Sequence, residues 1–281
     1  MPDRQVPVAF FNVVATPHPQ GAYKEALDQI AAQPFNYRGR DFAVVFKPQP
    51  DPDDVRFLRG RLAAWTDINP KEPSIDKATF EEVKVEDSLA EIFEKRGFNN
   101  RGFAWVFDVH KHTLAFELRN ELDQTISAKQ VEKIFEHLLS SLNREGQTYE
   151  VTLIPREDAV DIVLGLSRLD TITIVLKRDN VGDHDDGDAD DVLRELEEQN
   201  TKRQAYHFSR QPGTDSIKLN ERNRARADAA PENGFVASTG QDADGNHQSL
   251  STKQYPDVVA ATVPAGGSIF HALKVKLFGR A

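Results

Sequence analysis

An α+β fold of mixed or antiparallel sheets with packed helices, in two domains, is what the sequence predicts. Three observations point there. The first third is built from short apolar runs rich in β-branched and aromatic residues and separated by Pro/Asp/Gly turns. A helix with a capping signature follows near the middle of the chain, and a second set of strand-like runs and helices follows that.

Val8 to Ala15 is a nearly continuous apolar run ending at Thr16-Pro17-His18-Pro19, which suits a central strand buried on both faces. Tyr23 to Ala32 places Ala26, Leu27 and Ile30 on one face of a helix that Pro34 closes. Asp41 to Lys47 and Val55 to Ile68 read as strands around the turn Pro48 to Asp54. In the second of these, Phe57, Arg59 and Arg61 face away from Leu58 and Leu62, so two cations share a strand face. Gly102 to Leu118 is the strongest hairpin signal, with Phe103, Trp105 and Phe107 answered by Leu114, Phe116 and Leu118 across a turn at His110-Lys111-His112.

Ser127 and Gln130 form a capping box ahead of Val131, Ile134, Phe135, Leu138, Leu139 and Leu142, an apolar stripe at helical spacing that must pack on a sheet. Tyr149 to Ile154 and Thr171 to Leu176 are further strands. Asp190 to Gln199 and Lys218 to Ala230 read as helices, the latter stopped by Pro231. Phe235 to Thr239 and Gln248 to Thr252 flank the hairpin dipeptide Asp244-Gly245, and Ile269 to Phe278 forms a last helix. The polar stretch Leu122 to Ser127 sets the expected division: a sheet-rich domain over residues 1–124 and a second α+β domain over 125–281.

Composition narrows the functional classes. At 281 residues with 39% apolar content and seventeen Phe, the chain can bury one large core or two modest ones. It has no run long enough to span a membrane and no signal-peptide pattern at its start, so the expectation is a cytoplasmic protein with no membrane insertion. The absence of cysteine removes disulfides, thiolate nucleophiles and Cys-containing zinc sites.

Charge is distributed unevenly. Asp179 to Glu198 carries ten carboxylates and one cation, a net −9, and Lys202 to Arg226 carries seven cations and two carboxylates, a net +5. Because the whole chain is −10, the chain without the acidic block, its basic segment included, is near neutral, and a polyanionic partner is not excluded. The loop 179–191 reads as solvated acid, as a calcium loop whose Asp186, Asp188, Asp190 and Glu197 fit but whose Asp191 replaces the turn glycine, or as a nucleic-acid mimic folding over the basic segment 202–226. That segment mixes cations with Tyr206, His207 and Phe208, a pattern suited to phosphate contacts and stacking. Its bland alternative is a charged surface complementing neighbouring acids. Candidate nucleic-acid contacts are Arg59, Arg61, Lys202, Arg203, Tyr206, Arg210, Lys218, Arg222, Arg224 and Arg226.

Motifs of catalysis are missing: no P-loop, dinucleotide fingerprint, nucleophile elbow or HExxH is present. Asp108, His110 and His112 have a ligand-like spacing at a hairpin tip, where an exposed polar turn is favoured over a metal site. Asp161, Glu150 and Lys177 would have to converge for a nuclease centre. No cofactor and no catalytic residue is assigned.

The order of VAFFNVVA, GFAWVFDVHKHTLAFEL, ISAKQVEKIFEHLL, ITIVLKRDN and RARADAAPENGFVAS resembles an uncharacterised bacterial family of similar length and, more distantly, the phage-exclusion protein RexA and the DNA-binding B subunit of the Kiwa antiphage system. The resemblance implies a two-domain α+β homodimer that binds double-stranded DNA without strong sequence preference in conflict between phage and host, with a co-encoded defence partner. The expectation is therefore a DNA-binding protein with an autoinhibitory acidic loop. The alternatives are a metal-dependent nuclease or toxin and a protein-binding adaptor. A continuous groove containing Arg59, Arg61, Arg210 and Arg222 would mark DNA binding, and the same side chains paired with carboxylates would mark the adaptor.

Overall fold

The structure, a computed structural model, describes residues 3–17, 19, 21–177, 195, 196, 198–232 and 234–279. It is α+β, with all strand pairing antiparallel. The first half of the chain supplies strands β1 (Arg4–Thr16), β2 (Phe35–Arg38), β3 (Asp41–Val45), β4 (Gln49–Pro50), β5 (Phe57–Thr66), β6 (Ser74–Ile75), β7 (Glu82–Val83), β8 (Phe98–Asp108) and β9 (Thr113–Glu117). Helices α1 (Ala22–Ile30), α2 (Asp87–Lys95) and α3 (Ala128–Ser140) accompany them. After α3 come β10 (Thr148–Leu153), α4 (Ala159–Leu164), β11 (Arg168–Lys177), β12 (Arg203–Ser209), α5 (Glu221–Ala229), β13 (Phe235–Gln241), β14 (His247–Ser251), β15 (Val258–Val263) and α6 (Ile269–Phe278).

Nine strands form the principal sheet in the order β10-β1-β9-β8-β5-β3-β2, with β15 beside β1 and β4 beside β5. The long first strand is central: its N-terminal half pairs with β15, its C-terminal half with β10, and its other edge with β9. Both faces are buried, as the continuous apolar run requires. Phe11, Val13 and Ala15 enter the core under α1 and α3, and Val6, Val8 and Phe10 enter the core under α6. The capping box of α3 is formed, with the Gln130 N–H donating to Ser127 Oγ at 3.2 Å and the Ser127 N–H donating to Gln130 Oε1 at 3.0 Å.

A four-stranded sheet, β12-β11-β13-β14, makes its own core with α4 and α5 from Val163, Ile172, Ile174, Leu176, Ala227 and Val236. The expected boundary at residues 124 and 125 does not separate the two cores. Strands β10 and β15 and helix α6, all beyond it, complete the principal sheet through β1. The second core instead occupies residues 159–255, inserted between β10 and β15.

Several elements are absent from the sequence-based expectation. Strands β12 and β15 are short or alternate with exposed residues, and α2 with the hairpin β6–β7 forms an arm between β5 and β8 in which no helix residue is buried. The expected helix Asp190 to Gln199 lies largely outside the described residues, as do the acidic loop 179–191 and the calcium-like set Asp186, Asp188, Asp190 and Glu197. Among the described residues no helix is long and apolar enough to cross a membrane.

Candidate nucleic-acid interface

The candidate cations fall on two different sheets. Arg59 and Arg61 project from β5, on the face opposite the α1/α3 core, because Leu58 and Leu62 point into that core. Gly60 between them is fixed by packing: a Cβ there would lie 2.2 Å from the Trp105 ring. Glycine leaves the space on this face of β5 that the Trp105 indole fills.

Helix α6 covers β8, β9 and β15 but stops short of β3 and β2. At its edge Phe270 lies beneath both guanidinium groups, 5.6 Å from that of Arg59 and 5.7 Å from that of Arg61. Beyond it the sheet face carries Phe42 stacked on Trp65 at 5.9 Å, and Phe46, which is 51% exposed and whose N–H bonds the Arg61 carbonyl. Neither arginine has an ion-pair partner among the described residues. The result is a cationic and aromatic surface on one sheet face.

The position of α6 is set by a buried ion pair. Lys274 Nζ lies 2.8 Å from Asp51 Oδ1, with Lys274 8% and Asp51 5% exposed. Burial alone would raise the Asp51 pKa, but the Lys274 ammonium and the N–H groups of Asp53 and Asp54 overcome it and hold the carboxyl below its ordinary value. Asp51 in turn raises the Lys274 pKa.

The basic segment is organised differently. Arg222 and Arg226, one turn apart on α5, both meet Glu195, and the Arg226 guanidinium sits 4.3 Å over the Tyr206 ring. Those two arginines hold the Glu195 carboxyl below its ordinary pKa. Arg224 points the other way, to Asp161 at 2.6 Å and Asp228 at 2.9 Å. Arg210 pairs with Asp170 at 2.8 Å, and Lys202 with Glu150 at 2.8 Å. Of the segment's cations, Arg203 and Lys218 are exposed without an ion-pair partner among the described residues. Alternation of the arginines spreads them around α5, and the neighbouring acids take up both sides. Arg210 and Arg222 therefore do not share a groove with Arg59 and Arg61.

Glu150 and Lys177 do converge, at 2.7 Å, on a cavity of about 150 Å³ that Lys202, Thr16 and Thr152 also line. Burial raises the Glu150 pKa, the Lys177 and Lys202 ammonium groups together lower it by more, and the carboxyl ends below its ordinary value. Asp161 is not part of this group, being held by Arg224. At the hairpin tip, Asp108 receives Arg56 Nε at 2.9 Å and the N–H of His110 at 2.9 Å, and His112 is buried against the Tyr23 ring at 4.4 Å. Among the described residues no three His, Asp or Glu side chains group as metal ligands.

Sequence reasoning missed Phe42, Phe46, Trp65 and Phe270. The period-2 pattern of Asp41 to Lys47 carries the signal for Phe42 and Phe46, whereas Phe270 reaches the arginines only through tertiary packing. The family model described as a domain of unknown function (DUF4747) matches residues 4–277. No curated protein matches the chain.

Proposed function

We propose that this chain, which belongs to the DUF4747 family, binds DNA without strong sequence preference through the β5 face, with Arg59 and Arg61 as its phosphate contacts. One observation carries the reading: these two cations stand over an aromatic ring on an open sheet face and form no ion pair among the described residues, Arg61 acting on the Glu117 carboxylate only from beyond ion-pair distance, whereas Lys202, Arg210, Arg222, Arg224 and Arg226 are paired with acids. A guanidinium not held in an ion pair gives counterion release on meeting phosphate, and an adjacent exposed ring accepts a base face. Arg203 and Lys218 are auxiliary contacts on the second sheet. The setting of phage defence or phage exclusion, a co-encoded partner and a cytoplasmic location rest on the layout likeness to RexA and the Kiwa B subunit. The acidic loop 179–191 acts in this reading as an internal competitor for the cations.

A gel-shift titration of wild type and Arg59→Ala/Arg61→Ala, at two salt concentrations and with and without magnesium, tests it. Wild-type affinity falls with salt, and the variant loses about 0.7 to 0.9 per removed contact in the log–log salt slope. An unchanged slope refutes the assignment of Arg59 and Arg61, and cleavage in magnesium replaces binding with nuclease activity.

A second reading, a protein-binding adaptor, is favoured by the arm between β5 and β8. Ile75, Phe80, Leu89 and Ile92 are exposed on it, at 58%, 76%, 44% and 40%. The paired state of Arg210 and Arg222 points the same way. A homodimer joined through these arms accommodates both readings.

A further inference from the structure

Beside the β5 arginines lies a second cavity of about 150 Å³ that the phosphate contacts alone do not use. Its walls come from β1, β5, β8, β9, the turn after β9 and Ile269 at the start of α6, and Arg61 belongs both to it and to the open face. Four of its polar side chains, Arg4, Glu117, Asn120 and Gln124, are already engaged and hold the walls. Glu117, 3% exposed, accepts from Arg4 Nη2 at 3.1 Å and from the Ala104 N–H at 2.8 Å. Asn120 donates to the Gly102 carbonyl at 3.1 Å and to Gln124 Oε1 at 2.8 Å, and accepts the N–H groups of Leu122 and Gln124 at 3.0 Å each.

Three others are unengaged. Among the described residues the side chains of Arg61, Asn100 and Glu121 form no hydrogen bond or ion pair, so a cation, an amide and a carboxylate border one cavity. This set selects its ligand by elimination. A simple anion would meet the Glu121 and Glu117 carboxylates, a simple cation would meet Arg61 and Arg4, and an apolar molecule would leave all three polar groups unsatisfied. A nucleotide unit satisfies them together. Its phosphate belongs on Arg61, and its base offers N–H donors to the carboxylate and a carbonyl or ring nitrogen to the amide N–H.

We propose that this cavity receives one unstacked base of a DNA single strand lying along the β5 face, with guanine preferred. Guanine presents two adjacent N–H donors on its pairing edge, which match the two oxygens of the Glu121 carboxylate. The inference rests on the DNA-binding reading and adds to it a strand preference and one point of base discrimination. The arrangement accounts for Glu117 as well. Its bond to Arg4 keeps that guanidinium at the cavity wall, and burial, outweighing the Ala104 N–H, Arg4 and the more distant Arg61, raises its pKa.

Fluorescence anisotropy with the full-length protein tests the proposal, using a short oligothymidine strand, the same strand with one internal guanine, and a duplex. The expected result is that the single guanine tightens binding about 5-fold or more. Glu121→Gln, which replaces one of the two acceptor oxygens by a donor, abolishes that difference between the two strands. Equal affinities of wild type for both strands overturn the cavity proposal and leave the DNA reading standing. Absence of binding to every strand and to the duplex overturns the DNA reading. Titration of wild type and Glu121→Gln with guanosine monophosphate, followed by calorimetry, then decides the cavity by itself: heat only with wild type supports it, and no heat overturns it.

Discussion

Replacing Lys274 with methionine tests whether α6 holds the arginine face in place. Methionine keeps most of the stem but removes the charge, leaving the Asp51 carboxylate 5% exposed with the N–H groups of Asp53 and Asp54 as its remaining favourable contacts. Removing one partner of a buried pair costs about 3–5 kcal/mol, and the retained N–H contacts place this case near 3 kcal/mol. At ~2–4 °C per kcal/mol for a chain of this order of size, Tm falls by about 6–12 °C. The double variant Asp51→Asn/Lys274→Met removes both charges and recovers more than half of the loss.

The pH dependence of that loss has a definite sign. Asp51 has a depressed pKa when folded, so its contribution is present above its unfolded value near ~3.9 and fades as pH falls through the folded value. Lys274 has a raised one, so its contribution is complete below its unfolded value near ~10.4 and fades as pH rises through the folded value. The gap between wild type and Lys274→Met is therefore flat from about pH 5 to 9 and narrows on either side. Thermal unfolding followed by circular dichroism across that range measures it. A Tm within about 2 °C of wild type, or a double variant no better than the single one, refutes the pair as the anchor of α6.

Gly60→Ala drives a methyl group into the Trp105 ring and costs at least ~2 kcal/mol, seen as a lower denaturation midpoint at unchanged m. Deleting Asp183 to Asp191 strengthens DNA binding at low salt and has a smaller effect at high salt; unchanged or weaker binding, read by anisotropy, reduces the acidic loop to a solvated segment. Leu89→Asp/Ile92→Asp shifts a dimer to monomer in sedimentation and leaves Tm within about 2 °C, because neither side chain is part of a core.

What the sequence revealed follows from where the physics is local. The run Val8 to Ala15 announced a doubly buried strand because polar residues are nearly absent from it, and Ser127 with Gln130 announced α3 because both partners of the cap lie within one turn. The domain boundary was not legible, since nothing in Thr148 to Leu153 or Val258 to Val263 declares β1 as its neighbour. Charge was legible as composition but not as pairing. Net positive sums over 202–226 conceal Glu150, Asp161, Asp170 and Glu195, three of which precede the acidic block and meet the cations only through folding. Arg59 and Arg61 were found because strand alternation is local; Phe270, more than two hundred residues later, left no such signal.

The pairing of β1 with β15 has a further consequence for how the protein is made. Gln5 and Thr262, whose side chains meet at 3.0 Å, are 257 positions apart, so the centre of the principal sheet lacks one neighbour until Val258 to Val263 have left the ribosome. Until then Val6 and Val8 present an apolar strand edge to other nascent chains. The inserted sheet over residues 159–255 has its own core and can close first, bringing the ends of its span together and shortening the loop that β15 must bridge. A chain truncated before Val258 would then keep the inserted sheet and lose the strand that seals the first one, which makes aggregation rather than a smaller soluble protein its expected fate.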